Sequence, residues 1–372
     1  MMAISFMEFV TVSDENFMIG NKNTKIIGTN NYYLIYESQM MIEDIFQKAK
    51  DMNLSTIRIQ GYINGLAANN VTLQPILGIY DEFGFKKLDN VICTAQNYGI
   101  KLVINLVNNW EAFGGMDQYI TWINQKLNMQ LKHDDFYANA FARIYFMKYI
   151  YFMISRINTC NGIAYKDDPT IMAWQLANEP RSQSDHTGKS VLAWADDIST
   201  FIKSIDTNHL VSIGNEGFLC EDGKTWMYDC SQGTNSAEMA KLPNIDYLTM
   251  HMYPDNWKLN NAETYDYINK HIEISKNVKK PLIIEEFGDK NDKVGKYKEW
   301  TKYFEENDIK GDMFWMLCGS MDDGSRYQNY DGYCVYYPSP EATVIEAHSK
   351  KQISNGYFLQ IAWIVLAIIA FI

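Results

Sequence analysis

The 372-residue sequence lacks the short motifs that mark common metal, serine and nucleotide sites. None of its six cysteines forms a C-x-x-C pair, and its six histidines show no H-E-x-x-H or comparable spacing. There is no G-x-S-x-G nucleophile elbow, and no G-x-G-x-x-G follows the first strand-like run. These absences argue against metal hydrolysis, serine catalysis and a dinucleotide-binding fold. We therefore expect neither a metal nor a cofactor.

Positive charge, proline and glycine are also scarce. The 33 Lys plus Arg against 45 Asp plus Glu give a net charge of −12, so we expect no broad electropositive face and no nucleic-acid partner. Only 8 Pro and 22 Gly accompany 47% hydrophobic residues, which excludes collagen-like and disordered chains and indicates a large core. Aromatic residues make up 14% of the chain, and their flat rings suit either a core or a sugar-binding cleft.

The two ends of the chain carry different signals. Residues 1–12 lack the charged start and apolar run of a signal peptide, and we expect a strand there or a truncated start. Residues 357–372 are almost wholly apolar and follow two lysines and a small polar run at 354–356. This segment is short for a helix that spans a bilayer, and it favours a cleaved lipid-anchor signal or a short membrane anchor over a packed terminal helix.

One pair of cysteines is close in the sequence. Cys220 and Cys230 flank the polar stretch 221–229. A disulfide between them would stabilise the fold by about 2 to 4 kcal/mol in the loop-entropy model. Free buried thiols are the alternative, and the spacing alone does not decide between the two.

Eight short apolar runs alternate with helix-compatible segments along the chain. The runs are TKIIGTN (24–30), STIRIQ (55–60), KLVINLV (101–107), IMAWQLA (171–177), HLVSIG (209–214), DYLTMHMY (246–253), PLIIEEF (281–287) and DMFWML (312–317). Amphipathic segments at 39–52, 86–99, 134–157 and 293–307 lie between them. Such continuous apolar runs suit strands that are buried on both faces of a parallel sheet. The sequence therefore predicts an α/β fold, a single-domain (β/α)8 TIM barrel over 1–350, with a hydrophobic tail at 351–372.

Polar side chains follow most of the predicted strands. The strand-end groups are Arg58, 108–110, 178–181, 215–216, 251–254, 285–288 and Trp315. In a barrel the active site lies at the carboxyl ends of the strands, so these groups should meet at one rim. A lone strand-end carboxylate is more often a salt-bridge partner than a catalyst, but seven groups together indicate an active site.

Carboxylates on the fourth and seventh predicted strands would face each other across the barrel mouth. Glycoside hydrolysis needs such a pair, one to protonate the leaving oxygen and one to attack the anomeric carbon or activate water. Because side chains alternate along a strand, only one of Glu285 and Glu286 should face the mouth. Arg58 and the Tyr253 hydroxyl would lower the pKa of a carboxylate that they contact. The separation that distinguishes retention from inversion cannot be read from the sequence.

The run 168–181, DPTIMAWQLANEPR, resembles the fourth-strand signature of glycoside hydrolase family 5, in its endo-β-1,4-mannanase subgroup. Further likeness lies at 105–119, 212–218, 245–257, 283–288 and 314–317, so the resemblance covers about residues 9 to 345. It implies an endo-acting, retaining hydrolase of β-mannan, with Glu179 as acid/base and Glu286 as nucleophile.

The same resemblance implies roles for the residues around the two carboxylates. Those that would support the carboxylates are Arg58, His251 and Tyr253. Asn178 would bind the 2-hydroxyl of the reacting sugar, and Trp315 would be the platform beneath it. Arg181 would contact the leaving-group side. Trp110 and Trp257 resemble further aromatic residues of the cleft. For Trp257, packing in the core is an almost equally good interpretation.

The sequence departs from the family pattern after the second predicted strand. Plant-type members have an aromatic residue two positions after the arginine, whereas here Gln60 and Gly61 follow, and Tyr62 comes next. Either Tyr62 replaces the distal stacking ring or the preferred chain length differs.

The nearest alternative function is a β-1,4-glucanase on the same fold. A noncatalytic polysaccharide-binding surface protein is another, although the presence of both carboxylates argues against it. The expected partner is polymeric β-mannan, and we expect a monomer. Since this polymer occurs outside cells, we expect an extracellular or cell-surface protein of the secretory pathway, despite the absence of a clear signal peptide.

Overall fold

The computed structural model describes residues 7–65, 68–221 and 225–352. An N-terminal antiparallel sheet comes first, formed by β1 (Val10–Ser13), β2 (Asn16–Ile19) and β3 (Lys22–Thr24). The parallel strands are β4 (Ile26–Asn30), β5 (Thr56–Gln60), β6 (Lys101–Asn105), β7 (Ile171–Gln175), β8 (Leu210–Ser212), β9 (Leu248–Met252), β10 (Leu282–Phe287) and β11 (Gly311–Phe314). A small parallel pair follows, β12 (Leu317–Cys318) and β13 (Val335–Tyr336).

The helices alternate with the parallel strands. They are α1 (Gln39–Asp51), α2 (Glu82–Tyr98), α3 (Gly115–Leu127), α4 (Asp135–Ala138), α5 (Ala140–Ser155), α6 (Lys189–Ile205), α7 (Ser236–Met239), α8 (Pro254–Trp257), α9 (Asn261–Val278) and α10 (Lys293–Glu306). Two short 3-10 turns lie at Ala112–Gly114 and Tyr165–Asp167. Residues 340–352 form a further helical segment, the last among the described residues.

The parallel strands of the described chain form one sheet in the order β8-β7-β6-β5-β4-β11-β10-β9. Backbone hydrogen bonds from Asp246 to Val211 and from His251 to Glu216 bridge the remaining gap between β8 and β9. The sheet is thus a nearly closed barrel whose carboxyl ends all lie at one rim. The predicted (β/α)8 fold is confirmed, and each predicted run overlaps one barrel strand, the last of which begins one residue before its run, at Gly311.

The barrel interior changes from apolar to polar along the strands. Near their amino ends, Val103, Ala173 and Ile283 pack with Val10 and Phe17 of the N-terminal hairpin in one apolar cluster. Two residues further along the same strands, the buried side chains become polar. They are Asn105, Gln175 and Glu285. The hairpin therefore closes one end of the barrel, and the polar layer supports the site at the other.

Two predicted elements have different bounds in the structure. The helix predicted at 134–157 is interrupted at Asn139, whose extended backbone (φ −71°, ψ 125°) ends α4. The Asn139 side chain accepts hydrogen bonds from the N–H groups of Phe141 and Ala142, so it begins α5 as an N-cap. Of the strand predicted at 1–12, the structure describes β1 from Val10 onward, and residues 1–6 lie outside the described residues.

All six cysteines lie in the described residues and are paired. The disulfides are Cys93–Cys160, Cys220–Cys230 and Cys318–Cys334. The bridge across 221–229 is confirmed, and the alternative of free thiols there is wrong.

The apolar segment 357–372 lies outside the described residues. Among the residues that are described, no helix combines the length and the hydrophobicity needed to cross a membrane. The anchor and the boundary between 1–350 and 351–372 stay predictions.

Candidate active site

A cleft of about 620 Å³ opens at the carboxyl ends of the barrel strands. Eight of the nine residues predicted for the site line it. They are Arg58, Trp110, Asn178, Glu179, Arg181, Tyr253, Glu286 and Trp315. The ninth, His251, is fully buried behind Glu179 and is hydrogen-bonded to it. Residues from strands all round the ring thus converge on one space.

Arg58, on β5, connects the nucleophile candidate to its surroundings. Its guanidinium is buried, and it donates through Nη1 to Glu286 and through Nη2 to Oδ1 of Asn178 at 2.7 Å. Its Nε donates to Oε1 of Gln175 at 2.7 Å. Because an arginine carries only donors, it fixes each of these partners as an acceptor at that atom.

Glu286 reaches the cleft from β10 with both carboxylate oxygens engaged. Arg58 donates to Oε1, and the Tyr253 hydroxyl donates to Oε2 at 2.7 Å. Burial raises the pKa of Glu286, and the positive charges of His251 and Arg58 offset part of that rise. The two donors keep the carboxylate in a fixed orientation at the floor of the cleft.

Glu179 follows β7 in a left-handed backbone conformation (φ 51°), which is uncommon for a residue other than glycine. Its Oε1 lies 2.7 Å from Nδ1 of His251, and its Oε2 accepts from Nε1 of Trp110 at 2.6 Å. Burial alone would raise the pKa of Glu179, but the hydrogen bonds from His251 and Trp110 outweigh it and lower the pKa. Conversely, the surrounding carboxylates overcome burial and raise the pKa of His251 to about 10.

The two cleft carboxylates are close together. A carboxylate oxygen of Glu179, a carboxylate oxygen of Glu286 and a ring nitrogen of His251 all lie within 4.8 Å of one another. A metal ion could also bind three ligand atoms at this spacing. The Arg58 guanidinium at Glu286 already supplies a positive charge there and opposes a further cation. The arrangement is therefore better suited to proton transfer and nucleophilic attack than to metal binding.

A third carboxylate, Glu216, also lines the cleft and had no role in the sequence prediction beyond its strand-end position. Arg181 donates from Nε to its Oε2 at 2.8 Å, and the guanidinium lies 5.1 Å from the ring centre of Trp110. Burial and the charge of Glu179 raise the pKa of Glu216 to about 7, against the lowering effect of Arg181. Glu216 thus holds Arg181 on the Glu179 side of the cleft.

Trp315 lines the side of the cleft opposite Arg181. It is partly exposed, its Nε1 donates to Oδ2 of Asp331 at 2.7 Å, and its ring is stacked with Tyr32 at 6.2 Å. Asp331 and Tyr333 were missed from the sequence because they belong to a loop far beyond the last barrel strand. The Cys318–Cys334 disulfide closes that loop, and the spacing of these two cysteines was the signal that could have indicated it.

The segment after β5, where the sequence departs from the family pattern, also reaches the cleft. Gln60 and Tyr62 both line it, but each is almost completely buried, at 4% and 3% exposed. The rings of Tyr32 and Phe113, from neighbouring loops, are partly exposed and in contact with each other. Trp257 lines the cleft as well and packs on Phe218, so both readings of this residue apply.

Comparisons with known proteins agree on one family. Residues 7–336 match the sequence profile described as "GH family 5 beta-mannosidase-like". A protein named "Mannan endo-1,4-beta-mannosidase 4" from Solanum lycopersicum is 35% identical over 352 residues, which cover 87% of each chain.

Solved structures show the same similarity. The endo-β-1,4-mannanase from Thermotoga petrophila superposes with a TM-score of 0.82 and 34% identity, covering 88% of this chain and 77% of that one. The endo-1,4-β-mannanase from Rhizomucor miehei gives a TM-score of 0.85 and 30% identity, covering 93% of this chain and 100% of that one.

Proposed function

Because the chain belongs to glycoside hydrolase family 5, in its β-mannosidase-like group, we propose that it cleaves internal β-1,4-mannosidic bonds of mannan, galactomannan or glucomannan. Relatives that are named endo-1,4-β-mannosidases cover most of its length, which supports this substrate class. The cleft is lined by aromatic rings and by hydrogen-bonding side chains, as a sugar-binding site requires.

The single observation that carries the reaction type is the closeness of the two carboxylates. Oxygens of Glu179 and Glu286 lie within 4.8 Å of each other. Retaining glycosidases hold their carboxyl groups about 5 to 5.5 Å apart, whereas inverting enzymes need about 6.5 to 9.5 Å to admit a water molecule. We therefore assign a double displacement through a covalent glycosyl-enzyme.

Glu286 suits the role of nucleophile. Arg58 can only donate to Oε1, and the Tyr253 hydroxyl donates to Oε2, so both stabilise the carboxylate and aim it at the anomeric carbon. Attack by one oxygen forms the glycosyl ester, and the hydrolysis of that ester restores the carboxylate.

Glu179 suits the role of acid and then base. In the free site its Oε2 accepts from the indole of Trp110, a ring that is 41% exposed. When the leaving oxygen takes the place of that indole, Glu179 loses one of the donors that lower its pKa, which favours the protonated form needed to release the leaving group. After departure, the carboxylate takes a proton from the incoming water.

The remaining predicted residues suit the two sides of the scissile bond. Trp315 offers a partly exposed ring beneath the reacting sugar, and Asn178, oriented by Arg58, offers its amide to the 2-hydroxyl. Arg181 lies beyond Glu179, where the leaving sugar departs.

The three disulfides support the proposal of an extracellular or cell-surface location, because disulfides persist in oxidising compartments. Fractionation of cells that express the full chain tests it, with phospholipase treatment to distinguish a lipid anchor from a spanning segment. A pool confined to the cytosol would contradict the proposal.

The activity is tested by measuring reducing-end release from mannan, glucomannan and carboxymethylcellulose side by side. We expect rapid hydrolysis of the two mannans, a fall in viscosity early in the reaction, and products that first appear with the β-anomeric configuration. Glu286→Gln protein is the matched control for contaminating activity. Release from carboxymethylcellulose alone would instead support the glucanase.

A further inference from the structure

A third carboxylate, Glu285, lies inside the barrel beneath the two that face the cleft. Its side chain is completely buried and does not line the cleft. The sequence predicted that Glu285 and Glu286 point in opposite directions from their strand, and this is wrong, because both side chains lie inside the barrel. Only Glu286 lines the cleft at the barrel mouth. The pairing of β10 with β9 shifts register between Ile284 and Glu286, and this bulge turns both carboxylates inward.

The hydrogen bonds around Gln175 fix what Glu285 can do. Oε1 of Gln175 accepts from Nε of Arg58, so its Nε2 must be the atom that faces Glu285. This Nε2 lies 2.7 Å from both Oε1 and Oε2 of Glu285. Glu285 is therefore an acceptor on both oxygens.

His251 faces the same carboxylate. Its Nε2 lies 3.7 Å from Oε2 of Glu285, which is an ion-pair distance rather than a hydrogen bond, and it has no hydrogen-bond partner among the described residues. Its other nitrogen, Nδ1, lies 2.7 Å from Glu179. The ring thus connects the buried carboxylate to the acid/base candidate.

We propose that Glu285 is a positioning residue for the reaction proposed above: it keeps the proton on Nε2 of His251 and so leaves Nδ1 to serve Glu179 in both of its protonation states. With Nε2 protonated, a neutral ring accepts from the carboxyl form of Glu179 at Nδ1, and the imidazolium form donates to its carboxylate. A ring without a proton on Nε2 would be a permanent donor at Nδ1 and would favour only the carboxylate.

Several charged or titratable groups face this ring from the neighbouring elements. They are Glu179 after β7, Glu216 after β8, and Glu285 and Glu286 on β10, the last two of which are ion-paired with Arg58 on β5. Glu285 is the one that faces Nε2, whereas Glu179 and Glu286 face Nδ1. If Glu285 loses its negative charge, the proton that Glu179 and His251 share should therefore be bound more weakly.

The first test uses the wild-type protein and does not depend on its catalytic activity. Nitrogen-15 NMR of the histidine side chains, with His251 identified by the loss of its signals in His251→Gln, follows both ring nitrogens as the pH rises. We expect Nδ1 to lose its proton while Nε2 keeps it. Deprotonation at Nε2 with Nδ1 still protonated would overturn the proposal, whatever the substrate of the enzyme.

The second test uses Glu285→Gln. The amide that this change introduces is uncharged, and one of its two terminal atoms is an NH2 group that cannot accept from Nε2 of Gln175. We expect the alkaline limb of the pH profile of kcat/KM to move by about one unit toward acid pH. We also expect kcat on mannan to fall about tenfold, with a smaller loss on an aryl substrate whose leaving group needs no proton.

Asp312→Asn is the matched control, because Asp312 is also a buried strand carboxylate and also lies next to a histidine nitrogen, Nε2 of His348 at 2.9 Å. It should lower the melting temperature without moving the pH profile. A profile of Glu285→Gln that superposes on that of the wild type would overturn the proposal. If wild-type protein cleaves no mannan, the proposed function fails, and the NMR test still decides the role of Glu285.

Discussion

The indole nitrogen of Trp110 donates to Oε2 of Glu179 at 2.6 Å, while the guanidinium of Arg181 lies over the same side chain, 5.1 Å from its ring centre. An exposed aromatic residue is thus tied to the acid/base candidate rather than packed in the core. Burial raises the pKa of Glu179, but the hydrogen bonds from His251 and Trp110 together outweigh burial and lower it.

Trp110→Phe keeps a ring beside Arg181 but removes the donor. The pKa of Glu179 should rise, so the alkaline limb of kcat/KM on mannan oligosaccharides should move to higher pH, by up to about one unit. Trp257→Phe is the control, since Trp257 lines the same cleft without a hydrogen bond to Glu179 among the described contacts. An identical shift in both variants would contradict the specific role of Trp110.

Glu286→Gln removes the proposed nucleophile. Because no glycosyl ester can then form, kcat should fall by at least about a thousandfold, while the affinity for a mannan oligosaccharide, measured by calorimetry, should change little. The neighbouring Glu285→Gln provides the comparison and should lose far less. The opposite order of losses would assign the nucleophile to Glu285.

Glu179→Ala should affect substrates according to their leaving groups. Polysaccharide needs a proton on its leaving oxygen, whereas an activated aryl mannoside does not, so the loss of kcat should be much larger on the polymer. The truncated side chain leaves room for azide, which should accelerate turnover of the aryl substrate by trapping the glycosyl-enzyme. Equal losses on both substrates without azide rescue would remove Glu179 from this role.

The parts of the molecule that were predictable from the sequence share a physical cause. Strands buried on both faces need continuous apolar runs, and the strands of a parallel barrel end at one rim, so the runs located both the fold and most of the site. Alternation also placed Glu285 on one side of its strand, but it could not reveal the bulge that turns Glu286 to the same side. A register shift depends on the neighbouring strand, and no local pattern in PLIIEEF encodes it.

The loop residues of the site were hidden for a different reason. Asp331 and Tyr333 reach the cleft through a loop that a disulfide closes, and loops of this length have no periodicity from which a position can be inferred. Likewise, the break at Asn139 depends on one capping side chain inside a long apolar segment.

The Cys318–Cys334 bridge should matter for substrate binding as well as for stability. Replacing both cysteines by serine removes a constraint on a loop with a sequence separation of 16, worth about 3 kcal/mol in the loop-entropy model. Because the loop holds Asp331 against Trp315, KM for mannan should rise several-fold. The double serine variant of Cys93–Cys160, a bridge outside the cleft lining, should lower the melting temperature with KM unchanged.

The last prediction concerns stability and pH. His348, in the helical segment 340–352, lies 2.9 Å from Glu305 through Nδ1 and 2.9 Å from Asp312 through Nε2, and so ties that segment to α10 and β11. Burial opposes the charged ring, but the two carboxylates prevail and raise its pKa from 6.5 to about 9.

A pKa that is raised in the folded state stabilises the fold below the unfolded value. The contribution of His348 should therefore be complete below about pH 6.5 and should disappear as the pH rises through about 9. His348→Gln should lower the free energy of unfolding at pH 6 by about 2 kcal/mol, measured by urea denaturation, and by much less at pH 10. His186→Gln is the control, since His186 is exposed and should leave the profile unchanged. A difference between wild type and His348→Gln that stays constant from pH 6 to 10 would show that the histidine acts through packing alone.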